Sequence, residues 1–317
     1  MPEIGIFLSS EELRPDVMVS AAREAEAAGF RSVWVSDHYH PWNDRQGQSP
    51  FVWSVIGGIA ATTRMKVLTG VTAPIIRIHP AILAQAAATS QIMTGGRFWF
   101  GVGSGENLNE HILGGYWPPA DQRLEMLEEA VEVMRKLWSG KLVSHQGTYY
   151  RVDNARIYSL PDEPPPVLIS GFGPKATELA ARIGDGYVNV SPERELPDLY
   201  TASGGKGPKV AGMKVCYGAD EQACVKLAHE LWANEGLPGQ LAQELALPSF
   251  FEQASELVTE DMTAESTPCG PDPETHLAAI RQYLDAGYDE VYISQIGPDQ
   301  KGFIDFFSRE LRPRLGL

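Results

Sequence analysis

The 317-residue chain is 43% hydrophobic and 21% charged, the composition of a folded protein long enough to bury a sizeable core. A formal net charge of −15, with a sequence pI near 4.9, repels phosphate backbones and anionic lipid surfaces and argues against nucleic-acid and membrane partners. "MPEIGIFLSSEELRP" has no basic n-region, no uninterrupted run of about 18 apolar residues occurs, and three cysteines (Cys216, Cys224, Cys269) lack metal-type spacing, so a soluble cytoplasmic protein with free thiols is expected.

In chain order, "EIGIFLSS" (3–10) reads as a first strand, and "MVSAAREAEAAGFRSVWVSD" (18–37) as amphipathic helix, glycine, short strand. That phrase recurs at "KATELAARIGDGYVNVS" (175–191) and "HLAAIRQYLDAGYDEVYISQ" (276–295). Each glycine falls where a helix C-terminus takes a left-handed residue, and the β-branched or aromatic run after it is too short for a helix. Between these units lie "MKVLTGVTAP" (65–74), "GRFWFGVGSG" (96–105) and "PPVLISGFGP" (165–174), with helical patterns at 79–93, 118–139 and 174–183. "MKVCYGA" (213–219) supplies a further strand. Eight strand–helix units in this length imply an α/β fold, a closed (β/α)8 TIM barrel in one domain spanning 1–317, over an open doubly wound sheet. Three insertions are expected: a hairpin with a Pro-rich tail at 142–166, a mobile Gly-rich loop at 199–210, and a helical lid at 237–262.

Residues just past the C-terminal ends of barrel strands form the active-site rim. Strand two runs out in "SDHYHPW" (36–42), which places Asp37, His38, Tyr39, His40 and Trp42 there. A histidine beside a carboxylate suits general-base chemistry, although neighbours on a strand point to opposite faces, and a loop-capping Asp37 with a packed His38 is the plainer alternative. After strand four, the glycines of "GVGSGENLNE" (101–110) allow close backbone approach to a flat ligand or a phosphate, and Glu106 and Asn109 lie one helical turn apart; the alternative is a tight turn with Glu106 at a helix start. After strand five, "ISGFGPKAT" (169–177) puts two glycines, Pro174 and Lys175 at a helix N-terminus, an anion site rather than a bare turn. Gly70-Val71 could carry a special backbone geometry under a planar cofactor, on spacing alone a weak inference.

These segments in this order resemble the luciferase-like superfamily of flavin and deazaflavin oxidoreductases, most closely its branch of F420-dependent glucose-6-phosphate dehydrogenases. The resemblance rests on "SDHYHPW", "GVGSGENLNE", "RLEMLEEAVEVMRKLWSG" (123–140), "GTYYRVDNARIY" (147–158), "ISGFGPKATELAARIGDGY" (169–187) and "GPDPETHLAAI" (270–280), and spans nearly the whole chain. It implies a TIM barrel and coenzyme F420 as cofactor. It also implies that Asp37 and His38 contact the deazaflavin, with His38 as the base, Trp42 at the reacting centre, Glu106 as the acid near the deazaflavin ring, Asn109 as a cofactor ligand and Glu11 at the pocket rim. A non-prolyl cis peptide maps to Gly70-Val71, with Ala73 beyond it. The cofactor's phosphate maps to Ser170, Gly171, Phe172, Gly173, Pro174 and Lys175, with Val190 and Ser191 after strand six. A homodimer is likewise implied.

The resemblance breaks at the substrate phosphate. The cations that hold it in that branch correspond here to Glu193 or Arg194, Ala242, Gln243 and Glu265. Two carboxylates would repel a dianion, whereas Trp42, Trp53, Tyr116, Phe250 and Phe251 suit a neutral, polyhydroxylated or cationic substrate. The expected function is therefore hydride transfer between a non-phosphorylated alcohol or sugar hydroxyl and the deazaflavin C5, or its reverse, reduction of a carbonyl. An FMN-dependent monooxygenase and a cofactor-binding protein without turnover are the alternatives. A metal-dependent hydrolase would need further His or carboxylate ligands at the strand ends, and strands three, five and six offer none.

Overall fold

The computed structural model describes residues 2–317. Eight parallel strands close into a barrel: Glu3–Leu8, Ser32–Val35, Lys66–Thr69, Phe98–Val102, Val167–Ser170, Gly186–Asn189, Lys209–Val215 and Glu290–Gln295, here strands one to eight. Closure is made by strand one, which pairs with strand two (Ile6 opposite Val33) and with strand eight (Glu3 opposite Glu290). Strands two, five, six and eight are buried at every residue, as expected where helices cover the outer face and side chains fill the lumen. Phe7, Trp34, Leu68, Leu168, Val188, Val210 and Tyr292 form that luminal plug. At its N-terminal end Lys66 Nζ lies 2.7 Å from Glu290 and 4.2 Å from the centre of the Trp99 ring. A cavity of about 680 Å³ lined by Trp99, Trp138, Arg135 and Pro164–Pro166 opens at this same end, away from the strand C-termini.

The helices expected at 79–93, 118–139 and 174–183 are Pro80–Thr94, Ala120–Leu137 and Pro174–Ile183. Of the three linking glycines, Gly29 (φ 100°) and Gly287 (φ 93°) are left-handed as expected. Gly184 is instead extended, with φ −87° and ψ 154°. Space demands glycine there, since a Cβ would stand 2.7 Å from the Ala180 carbonyl oxygen.

The Gly-rich loop expected at 199–210 is confined to 203–208. Helix Glu195–Ala202 occupies its first part, with Tyr200 buried and stacked on Tyr187 at 5.2 Å, and strand seven begins at Lys209 rather than 213. Small residues hid this strand: Gly212 faces the lumen, where a Cβ would meet the Trp34 ring at 3.3 Å.

The segment at 142–166 does form a hairpin, Val143–Gln146 with Arg151–Ala155. Glu129 anchors it, its carboxylate accepting backbone N–H groups of Thr148 (3.1 Å), Tyr149 (3.1 Å) and Tyr150 (2.9 Å) beside His145 Nε2 (3.1 Å). Burial pushes the Glu129 carboxyl up, but the Tyr150 N–H and His145 outweigh it and the net pKa is lowered. A lowered acid contributes stability that is present above its unfolded pKa and lost as pH falls through the folded one. Glu129→Ala is therefore expected to cost about 1–3 kcal/mol in urea unfolding at pH 7, with a smaller penalty near pH 4.

Between strands seven and eight, short helices Leu241–Glu244, Pro248–Ser255 and Glu260–Ser266 occupy the segment expected as a lid. All three cysteines are free and buried.

Candidate active site

The functional side chains gather at the strand C-terminal ends. His38, just past strand two, has Nε2 3.3 Å from Glu11 Oε1 and 3.4 Å from Glu106 Oε2. Its Nδ1 lies 3.2 Å from the His40 carbonyl oxygen. Nδ1 also lies 3.1 Å from Asn109 Nδ2, an amide that only donates, so these contacts serve either tautomer, and Nε2, within reach of both carboxylates, is the nitrogen placed to exchange a proton at the mouth. Asn109 completes the arrangement. Its Oδ1 accepts the N–H groups of Tyr39 (2.8 Å) and His40 (3.2 Å), and its Nδ2 donates to Glu106 Oε2 at 2.9 Å. Trp42 closes one side, its ring 5.0 Å from that of His38 and edge-on to Phe251 at 5.0 Å.

The two carboxylates differ in state. Burial pushes Glu11 up, but His38 and hydrogen bonds from Ser9 (2.6 Å) and Ser36 (2.7 Å) outweigh it, so its pKa is lowered. Glu106, with a side chain 29% exposed, accepts from Asn109 alone; burial raises its pKa and the Glu11 charge adds to that, against the pull of His38 and the Asn109 hydrogen bond. One carboxylate held ionised and one inclined to keep its proton, both on the same imidazole nitrogen, can take up and return a proton.

Asp37 does not touch His38 Nε2. Its carboxylate is wholly buried, accepting from Thr72 Oγ1 (2.7 Å) and Arg77 Nη2 (2.8 Å). Arg77 also faces Glu110 (3.6 Å), which accepts the N–H groups of Ile76 (3.1 Å) and Arg77 (2.6 Å) and is pushed by burial to a pKa of about 7. Asp37, Arg77 and Glu110 thus bind together the loops after strands two, three and four. Neither Arg77 nor Glu110 stood out in the sequence; the signal was an arginine in an otherwise apolar rim loop, "APIIRIHP", and a glutamate one residue beyond Asn109.

Gly70-Val71 is a cis peptide, and the Gly70 carbonyl accepts from Trp34 Nε1 at 2.9 Å. A Cβ on Gly70 would lie 1.4 Å from that nitrogen, so only glycine fits. Val71, Gly103 and Ser170 converge, since a Cβ on Gly103 would stand 2.8 Å from Val71 Cγ2 and 3.5 Å from Ser170 Cβ. Ala73 packs against Gly105, where a Cβ would lie 3.2 Å from it.

Across the mouth, Gly173 caps helix Pro174–Ile183 with no side-chain cap, and nothing lies within 4 Å on its Cβ side. The helix N–H groups are thus left without a side-chain acceptor beside open space, which fits a phosphate. The Gly171 carbonyl is fixed by Tyr187 (2.6 Å) and Asn189 (2.8 Å), and Phe172 is exposed. Asn189 Oδ1 orders the loop beyond strand six through the N–H groups of Val190 (2.6 Å) and Ser191 (2.8 Å). Lys175 points elsewhere, paired with Asp121 at 2.8 Å and 72% exposed. Two aromatics expected at the mouth are packing residues: Trp53 lies against Phe98 and Phe100 under helix Val52–Thr62, and Phe251 is fully buried behind Trp42.

Residues 2–290 match the family model described as Luciferase-like monooxygenase. An F420-dependent glucose-6-phosphate dehydrogenase of Tsukamurella paurometabola is 34% identical over 99% of this chain and 98% of its own. One from Mycobacterium avium is 33% identical over 99% and 98%. The solved structure of an F420-dependent secondary alcohol dehydrogenase in complex with an F420-acetone adduct superposes with a TM-score of 0.91, at 32% identity over 98% of both chains. With its closed eight-stranded barrel and full-length relatives, the chain belongs to the luciferase-like family.

Proposed function

We propose that the protein is a coenzyme F420-dependent oxidoreductase acting on the CH–OH group of a non-phosphorylated alcohol or sugar. The observation that carries this reading is His38 Nε2 held between Glu11 and Glu106, 3.3 and 3.4 Å away, at the C-terminal mouth of the barrel. The F420-dependent enzymes similar to this chain support the cofactor. Gly70, Val71, Ala73, Gly103 and Ser170 would bed the ring system, and the uncapped helix start at Gly171, Phe172, Gly173 and Pro174 would take its phosphate. Bound there, the deazaflavin supplies the hydride acceptor or donor.

His38 Nε2 removes the hydroxyl proton of the substrate as hydride leaves the carbinol carbon. The resulting imidazolium donates from Nδ1 to the His40 carbonyl and from Nε2 to Glu11, whose ionised carboxylate stabilises the new charge. Glu106, inclined to keep its proton, would supply the one that the cofactor takes up along with the hydride, and Asn109 fixes its orientation. Trp42 covers the reacting centre and keeps water from it. Carbonyl reduction uses the same groups in reverse. No helix among the described residues is long and apolar enough to cross a membrane. Exposed Ile82, Ile92 and Met93 on helix Pro80–Thr94 support the expected homodimer.

The alternative cofactor is FMN. Fluorescence titration of the apoprotein should give a Kd for F420 at least tenfold below that for FMN, a gap of about 1.4 kcal/mol. Equal or reversed affinities would overturn the proposal.

A further inference from the structure

We infer that Lys214, with Glu12 and Ser294 beside it, forms a subsite for a second, uncharged hydroxyl of the substrate, so that the preferred substrate is a diol or polyol rather than a simple alcohol. The inference rests on the proposed redox reading of the same mouth.

Strand seven alternates, and two residues after the lumen-facing Gly212 it turns Lys214 inward at its C-terminal end. Lys214 stands in register with Ser294 of strand eight, which stands in register with Phe7 of strand one. The ammonium lies 5.7 Å from the centre of the Phe7 ring and 4.0 Å from that of Trp232. Glu235 pairs with it. Trp232 Nε1 in turn donates to Glu12 Oε1 at 2.5 Å, and Gly297 N donates to Glu12 Oε2 at 2.7 Å. Consecutive glutamates therefore serve adjacent places: Glu11 faces His38, and Glu12 faces Trp232 and Lys214. Trp42, 5.0 Å from His38, packs against the cluster that contains Trp232, so the two polar centres share a wall.

The chemistry of this group selects its ligand. Ser294 Oγ is buried with no partner among the described residues, and a buried hydroxyl calls for one. The ammonium only donates; the Glu12 carboxylate accepts, and burial pushes its pKa to about 7, so near neutrality it also donates. A hydroxyl, both donor and acceptor, complements all three. An anionic group does not, because the Lys214 charge is already matched by Glu235, and Glu11, held ionised, adds negative charge nearby.

The test compares 2,3-butanediol, 2-butanol and 2-hydroxybutyrate with saturating F420, in wild type and Lys214→Met. The diol should exceed the mono-ol in kcat/KM by at least tenfold in wild type. Lys214→Met should cut that ratio tenfold, Lys214→Arg should keep most of it, and the hydroxy acid should gain nothing. Where the loss of charge unfolds Lys214→Met, the double variant Lys214→Met/Glu235→Gln removes both charges together. An unchanged ratio in the methionine variants, or preference for the hydroxy acid, overturns the subsite. Tryptophan-fluorescence titration of the F420 complex with the same three compounds separates the two proposals. Tighter, Lys214-dependent diol binding without F420 reduction would uphold the subsite and sink the redox reading; mono-ol bound as tightly as diol would sink the subsite.

Discussion

Replacing His38 with alanine is expected to lower kcat by about 10²- to 10⁴-fold while F420 binding stays within a few-fold of wild type. The size follows from what is lost: the group 3.3 Å from Glu11 and 3.4 Å from Glu106 that receives the hydroxyl proton, with no other imidazole aimed at the same point. His40 is turned away, its Nδ1 2.9 Å from the Leu108 carbonyl and its ring stacked on His111 at 5.5 Å. Cofactor affinity survives because the glycine loops and the uncapped helix start are untouched. Glu106→Gln, which keeps the Asn109 contact but cannot release a proton, should fall on the same scale. Single-turnover reduction of F420 measures both. A wild-type rate in His38→Ala would move the base elsewhere, with His40 first to examine.

Glucose 6-phosphate should be oxidised with kcat/KM at least a hundredfold below the best neutral or cationic alcohol, roughly 2.7 kcal/mol of discrimination. A dianion in a barrel mouth needs several converging donors, each contributing only about 1.5 to 3 kcal/mol against desolvation. Dehydrogenases named for that substrate match this chain over its full length, yet the positions that the family resemblance assigns to the phosphate read Glu193 or Arg194, Ala242, Gln243 and Glu265. Arg194 does not compensate, because its guanidinium is exposed and donates to the Asp285 carbonyl. Lys214 points inward but is held by Glu235. Efficient oxidation of the sugar phosphate would show that another set of donors binds it.

The barrel was legible because its strands are short apolar runs between amphipathic helices, and closure follows from their number. The site was legible as far as motifs reach: His38, Glu106 and Asn109 meet, and the cis peptide lies at Gly70-Val71. What escaped notice depends on side-chain direction. That Asp37 and His38 point apart was expected of strand neighbours, but not that Asp37 would meet Arg77 while His38 faces the mouth. Lys175 sits at the helix start yet reaches Asp121, since a long exposed chain follows the nearest carboxylate. Trp53 and Phe251 read as mouth residues from position alone and are core by packing. Lys214 was invisible because Ala211 and Gly212 blurred the alternation of strand seven, so its inward register became apparent only through its pairing with strand eight.

The most direct measurement is the fate of the carbinol hydrogen. Neutral alcohols and sugars carrying deuterium at the reacting carbon are incubated with the protein and F420, and the reduced cofactor is analysed by mass spectrometry. Proton removal by His38 with direct hydride transfer predicts one deuterium in the reduced F420 with at least one of these substrates, and almost none with His38→Ala. Failure of every such substrate to reduce F420, or reduction without deuterium, would contradict it.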